Sequence, residues 1–336
     1  MNINNKNIFR KESITVDFFY QKTKERFDIE LLNKDVDLNR PITEQNLHRP
    51  GLALAGFVDL FSYKRVQIVG NTEVHFMKKL TLEKRKNALE KLFGFNIPCI
   101  IFTNYNKPAP EIIELANKFK IPIFISSLTT TKLSYLVSDF LDDQFAPRLS
   151  VHGSFIDVYG IGMLIVGKSG IGKSEVALDL IERGHRLVAD DVVILTKKGE
   201  GILMGSGTEL VKHFMEIRGI GILDVRSMFG IRAIRFQKRL EVIIELEVWD
   251  ESSEYTRTGL DAKISSIMDV DIQTVKIPIV PGKNITVISE VIALNYVLKH
   301  YGYDAAEVFN QRLRSKIKSK NADTNRSVDY FEHDFE

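Results

Sequence analysis

The sequence predicts two α/β domains, the second built on a phosphate-binding loop, and three observations carry that reading. Between Arg65 and Leu141, short β-rich runs alternate with longer stretches of helical period. Around "GKSGIGKS", Gly167 to Ser174, a β-like run, a glycine loop and an apolar helical stripe follow in that order. Between the two regions lies "DDQFAPRLS", Asp142 to Ser150, which is polar, aperiodic and punctuated by Pro147. A chain of 336 residues with 44% hydrophobic side chains can bury two cores. The expected division is 1–143 for the first α/β domain, 144–318 for the second, and 319–336 as a mobile polar tail.

In the first domain, "RVQIV", "CIIFT" and "IPIFIS" have the β-branched content of buried strands. Thr81 to Phe93, Pro110 to Phe119 and Thr129 to Leu141 read as the intervening helices. Pro110 suits a first turn, and Glu111 and Glu114 complement the helix N-terminus. The second domain opens with β-like runs at Ser154 to Val158 and Met163 to Val166, flanking a hairpin turn at Tyr159 to Gly162. With the turn centred near Gly160, antiparallel pairing sets Ser154 across from Val166 and His152 across from about Lys168. After the glycine loop, Lys173 to Arg183 carries Val176, Ala177, Leu178, Leu180 and Ile181 at helical spacing, and Gly184 ends it. "RLVADD" then reads as a strand returning parallel to the one before the loop, which carries its two carboxylates back to the loop's edge.

The composition excludes several function classes. Lys and Arg number 46 against 44 Asp and Glu, so bulk electrostatics give no reason to expect nucleic acid. Cys99, the single cysteine, sits in the apolar run "IPCIIF", which leaves no disulfide framework and no cysteine-rich zinc site. No window approaches the length of a membrane span and "MNINNKNIFRKES" has no signal-like apolar core, so a cytoplasmic protein without a membrane segment is expected.

The pattern G-x-x-x-x-G-K-[ST] is met in full by Gly167, Lys168, Ser169, Gly170, Ile171, Gly172, Lys173 and Ser174. Glycines let backbone N–H groups approach phosphate oxygens, Lys173 reaches the β and γ phosphates, and the Ser174 hydroxyl ligates Mg2+. A nucleoside triphosphate with Mg2+ is the implied ligand. Of Asp190 and Asp191, one can orient the metal while the other accepts a proton from an attacking hydroxyl; a solvated strand end is the alternative. His152 is either an ordinary loop residue or, through the hairpin register, a group that holds Asp191 or the transferring phosphate. Glu216, in "MEIRGIGILD", is equally a second metal ligand or part of a salt-bridged turn. Arg257 in "EYTRTGLDAK" and Lys283 in "KIPIVPGKN" are cations that can meet an anion, and taken alone each reads as a surface charge.

Three blocks together, "VHGSFIDVYGIGMLIVGKSGIGKSEVALDLIERGHRLVADDVV", "MEIRGIGILDVRSMFG" and "PIVPGKNITVISEVIALNYVLKHYGYDAA", resemble the bifunctional HPr kinase/phosphorylase family of bacterial sugar regulation. The resemblance spans essentially the whole chain, most strongly from Pro147 to Phe309. It implies an ATP-dependent kinase for a seryl residue of the phosphocarrier HPr, reversed by inorganic phosphate with release of pyrophosphate. It also implies a role in carbon catabolite control. By the same resemblance, Asp191 is the proton acceptor in the forward direction and the donor in reverse, assisted by His152. Lys173 and Arg257 complete the catalytic set, and Ser174 and Glu216 ligate Mg2+. Met215 to Asp224 serves both directions and Pro278 to Lys283 the reverse one. Val280 stands where the family usually has Arg or Lys before Pro-Gly, and Lys283 where an Arg follows. The resemblance further implies a homohexamer, a kinase core similar to phosphoenolpyruvate carboxykinase, and an N-terminal domain similar to part of the Mur ligases.

Overall fold

The computed structural model describes residues 7–34, 36–199, 201–208, 211–249 and 263–322. They fall into two compact units, Phe9–Pro147 and the chain from Arg148 on together with the residues up to Ile8.

The first unit is a five-stranded sheet in the order Ile29–Leu31, Ile123–Ser126, Ile100–Phe102, Val66–Val69, Leu47–His48. Its first pair is antiparallel and the rest are parallel. The inner strands are buried throughout, which is why they read as continuous apolar runs rather than alternating ones. Helices fill the crossovers, and two of them start where Thr81 and Thr129 accept a hydrogen bond from the backbone N–H three residues on. The last helix, Thr130–Phe145, runs four residues past the expected Leu141, because Phe145 is still buried against the sheet's core. The helix Asn71–Lys79 is not apparent in the sequence pattern. Its buried face includes Glu73, made tolerable there by two hydrogen bonds from Arg49 and one from the Gly70 N–H.

The second unit begins with β1 (Arg148–His152), β2 (Ser154–Val158) and β3 (Ile161–Gly167), followed by α1 (Lys173–Glu182). Next come β4 (Arg186–Ala189), β5 (Val192–Lys198), β6 (Ile202–Gly207), the ribbon β7 (Phe214–Ile217) and β8 (Gly221–Asp224), and α2 (Val225–Phe229). Then follow β9 (Gln237–Arg239), β10 (Val242–Val248), β11 (Lys263–Ile267), β12 (Val270–Ile279), α3 (Ile285–His300) and α4 (Ala305–Ala322). A six-stranded sheet has the order β4-β2-β3-β10-β12-β11, and β1, β5, β6 and β9 lie side by side in a second sheet. Leu149, Phe155, Leu164, Leu195 and Ile243 fill the space between the two sheets. Ile165, Leu180, Ile244 and Ala293 fill the opposite face, beneath α1 and α3. Helix α4 covers the first residues of the expected tail; the rest of the tail lies outside the described residues.

Two expectations are corrected here. Ser154 pairs with Ile165, one residue from the expected Val166, and the hairpin does not extend to His152. The chain changes sheets at Gly153, where a Cβ would stand 2.5 Å from the Ile165 carbonyl oxygen and only glycine fits, and β1 pairs with β5. Strand β4 does run in the direction of β3, but β2 is inserted between them and pairs with each antiparallel.

Candidate phosphoryl-transfer site

β3, β10 and β12 are parallel, and the glycine loop leaves the carboxyl end of β3, the edge at which open α/β sheets hold ligands. Gly172 caps α1 with φ at +103°, a conformation that penalises any side chain. The loop therefore aims the N-terminus of α1, with its N–H groups and partial positive charge, into the cleft above. The Lys173 ammonium lies across the loop, donating to the carbonyls of Lys168 at 3.2 Å and Gly167 at 3.4 Å.

Asp190 and Asp191 follow β4 and face different surroundings. Asp190 is 3% exposed and accepts hydrogen bonds from the hydroxyls of Ser154 and Ser174, the latter at 2.9 Å. Burial pushes its carboxyl above the usual carboxylate range, while those hydroxyls and the backbone at Asp191 and Glu216 pull it back. Asp191 is left-handed, with φ at +62°, so the chain is not extended there as the sequence suggested. That turn puts the Asp191 side chain in solvent, 71% exposed, with its Oδ1 3.6 Å from His152 Nδ1. His152 is there because β1 pairs with β5, setting His152 opposite Val192. Both side chains are largely solvated, so the contact orients them and adds little stability.

Glu216 lies on β7, and the β7–β8 ribbon brings it to a cleft of about 140 Å³ with Lys173, Ser174, Asp190, Asp191 and Arg218. A second cleft, of about 750 Å³, lies along the other side of the glycine loop and is lined by His152, Lys168, Asp191, Leu246 and Val248. Thus Gly167, Lys168, Ser169, Gly170, Ile171, Gly172, Lys173, Ser174, Asp191, His152 and Glu216 all line one cleft or both. Arg257 lies outside the described residues. Lys283 follows β12 and lines neither cleft.

Sequence reasoning passed over Ser154 and left Arg218 without a role. Ser154 had no signal, since only the sheet order sets β2 against β4. Arg218 had one, its place two residues from Glu216 and directly before the Gly219–Gly221 turn. Hydroxyl and carboxylate oxygens from Ser174, Asp190 and Glu216 are the donors a Mg2+ ion prefers. Among the described residues no group of three or more His, Cys, Asp and Glu could hold a metal by itself.

The family profile of the HPr Serine kinase C-terminal domain matches residues 143–313, and that of the HPr Serine kinase N terminus matches residues 14–141. A HPr kinase/phosphorylase of Chloroherpeton thalassium is 57% identical over 332 residues, which is 97% of this chain and 98% of that protein. One from Prosthecochloris aestuarii is 53% identical over 323 residues, 95% of each chain. A solved HPr(Ser) kinase/phosphatase from Coxiella burnetii is 34% identical, aligning 48% of this chain with 97% of that one at a TM-score of 0.43. Among the described residues, no helix is long and apolar enough to cross a membrane.

Proposed function

The chain belongs to the HPr kinase/phosphorylase family, and from that premise we propose that it phosphorylates a seryl residue of HPr with ATP and reverses the transfer with inorganic phosphate, releasing pyrophosphate. The observation that carries this reading is the meeting, around one glycine loop, of a solvated carboxylate, Asp191, and a buried one, Asp190, bonded to the loop's own serine.

In the forward direction Asp191 takes the proton of the seryl hydroxyl as its oxygen bonds to the γ-phosphorus, and the bond to the bridging oxygen breaks to release ADP. In reverse, an oxygen of inorganic phosphate attacks the phosphoseryl phosphorus. The seryl oxygen then leaves with the proton that Asp191 returns, and pyrophosphate forms. His152, beside Asp191, orients its carboxylate. The loop amides and Lys173 hold the phosphates, with Arg257 as a further cation. Ser174 and Glu216 would hold Mg2+, with Asp190 fixing Ser174. When bound, that ion offsets negative charge on the phosphate oxygens.

The proposal extends to a role in carbon catabolite control in the cytoplasm and to a homohexamer. The exposed stripe Val287, Val291, Leu294 and Leu298 along α3 supports assembly. It also extends to a kinase core similar to phosphoenolpyruvate carboxykinase and an N-terminal unit similar to part of the Mur ligases, in keeping with a glycine loop set in a mixed sheet.

The test incubates the protein with γ-labelled ATP, Mg2+ and HPr, then adds inorganic phosphate to the product. Label on a seryl residue and then in pyrophosphate is the expected result. An unlabelled HPr removes the kinase reading, and label that never reaches pyrophosphate removes the phosphorylase half alone.

A further inference from the structure

We propose that Arg218 is a phosphate-binding residue of this site and that it governs the affinity for inorganic phosphate more than that for ATP. The inference rests on the reaction proposed above. Arg218 is the first residue after β7, in which Met215 and Ile217 are buried, and both Glu216 and Arg218 are exposed. Its Nη2 donates to the Ser169 hydroxyl at 3.1 Å. Its Nη1 lies 2.6 Å from where a Cβ on Gly170 would stand, so the guanidinium packs directly on the loop backbone. Glu216 and Arg218 thus arrive together on one ribbon: a carboxylate on the Ser174 side of the cleft and a guanidinium over Ser169 and Gly170.

Backbone N–H groups of such a loop cradle the phosphates nearest the nucleoside, with the lysine reaching the outer ones. A planar guanidinium fixed over the loop by one N–H can offer the rest of its fork to an oxyanion there. ATP has a nucleoside and an additional phosphate to hold it in the site. Inorganic phosphate has neither, so the loop amides, Lys173 and Arg218 make up nearly all of its contacts. Removing one cation therefore takes a larger share of the binding of phosphate than of ATP. Ser169 acts through Arg218 as a positioning residue.

The experiment measures KM for ATP in HPr phosphorylation and KM for inorganic phosphate in dephosphorylation. It does so for the wild type, Arg218→Ala, Arg218→Lys, Ser169→Ala and the Ser169→Ala/Arg218→Ala double variant. Arg218→Ala should raise KM for phosphate about tenfold to a hundredfold, as loss of a charged hydrogen-bond donor does, and KM for ATP by no more than about threefold. Arg218→Lys should recover part of the loss, since it keeps the charge without the fork. Ser169→Ala should show a smaller effect of the same kind and add nothing to Arg218→Ala. Equal rises in both KM values, or additive effects of the two substitutions, would overturn the proposal. If the wild type forms no pyrophosphate, the reaction reading fails, and calorimetric titration with pyrophosphate and Mg2+ decides this proposal separately. Equal affinity of wild type and Arg218→Ala for pyrophosphate would then reject it.

Discussion

At the residue scale, the site depends on giving two adjacent aspartates unlike environments. Asp191 is solvated and next to His152, open to an approaching hydroxyl, and Asp191→Asn should lower both forward and reverse kcat by about a hundredfold to ten-thousandfold with the fold intact. Asp190 behaves differently. Its carboxyl is raised by burial, so without metal it contributes stability at acid pH that is lost as the pH rises through the raised value. Asp190→Asn should therefore increase the urea midpoint of the metal-free protein at neutral pH, by less at acid pH, while weakening the Mg2+ dependence of turnover. The loop glycines, Lys173 and Ser174 are legible in sequence because their chemistry is local to eight residues. The division of labour between Asp190 and Asp191 is not, because it is set by a left-handed backbone at Asp191 and by Ser154 arriving from another strand.

Among the elements, α1 starts at the glycine loop and ends on a clamp. Arg183 donates two hydrogen bonds to Glu290 of α3, and His185 lies 3.1 Å from the same carboxylate. Arg183 holds the Glu290 carboxyl below the usual glutamate range, with His185 adding to it, against the opposing effect of desolvation. The clamp's stability is thus present above the ordinary glutamate range and is lost as the pH falls through the lowered value. Since Arg183 is 43% exposed, Glu290→Gln should cost about 2 kcal/mol at neutral pH, below the usual figure for a broken buried pair, and the difference should shrink in acid. Urea unfolding at the two pH values checks this. Helices and buried strands of the first unit are readable from the sequence, because each has its own period, cap or apolar run. The second unit's sheets are less so, because the chain changes sheets at Gly153, where the backbone passes too close to the Ile165 carbonyl for a side chain to fit, and no periodicity records that.

For the molecule as a whole, the described site residues all come from the unit that begins at Arg148. A chain starting there should bind ATP and Mg2+ with the affinity of the full protein, measured by titration. The proposed assembly has its own test: Leu294→Asp, on an exposed helix face, should lower the mass measured by light scattering without changing ATP affinity. The change of sheet at Gly153 has a mechanical meaning as well. His152 and Asp191 border β1 and β5 in one sheet, whereas the glycine loop hangs from β3 in the other. The two crossings are joined where the Gly153 N–H donates to the Asp191 carbonyl at 3.1 Å. Proton acceptor and phosphate cradle are thus carried on different layers, and the Gly153–Asp191 hydrogen bond is a direct tie between the two, setting the gap across which the phosphoryl group must pass.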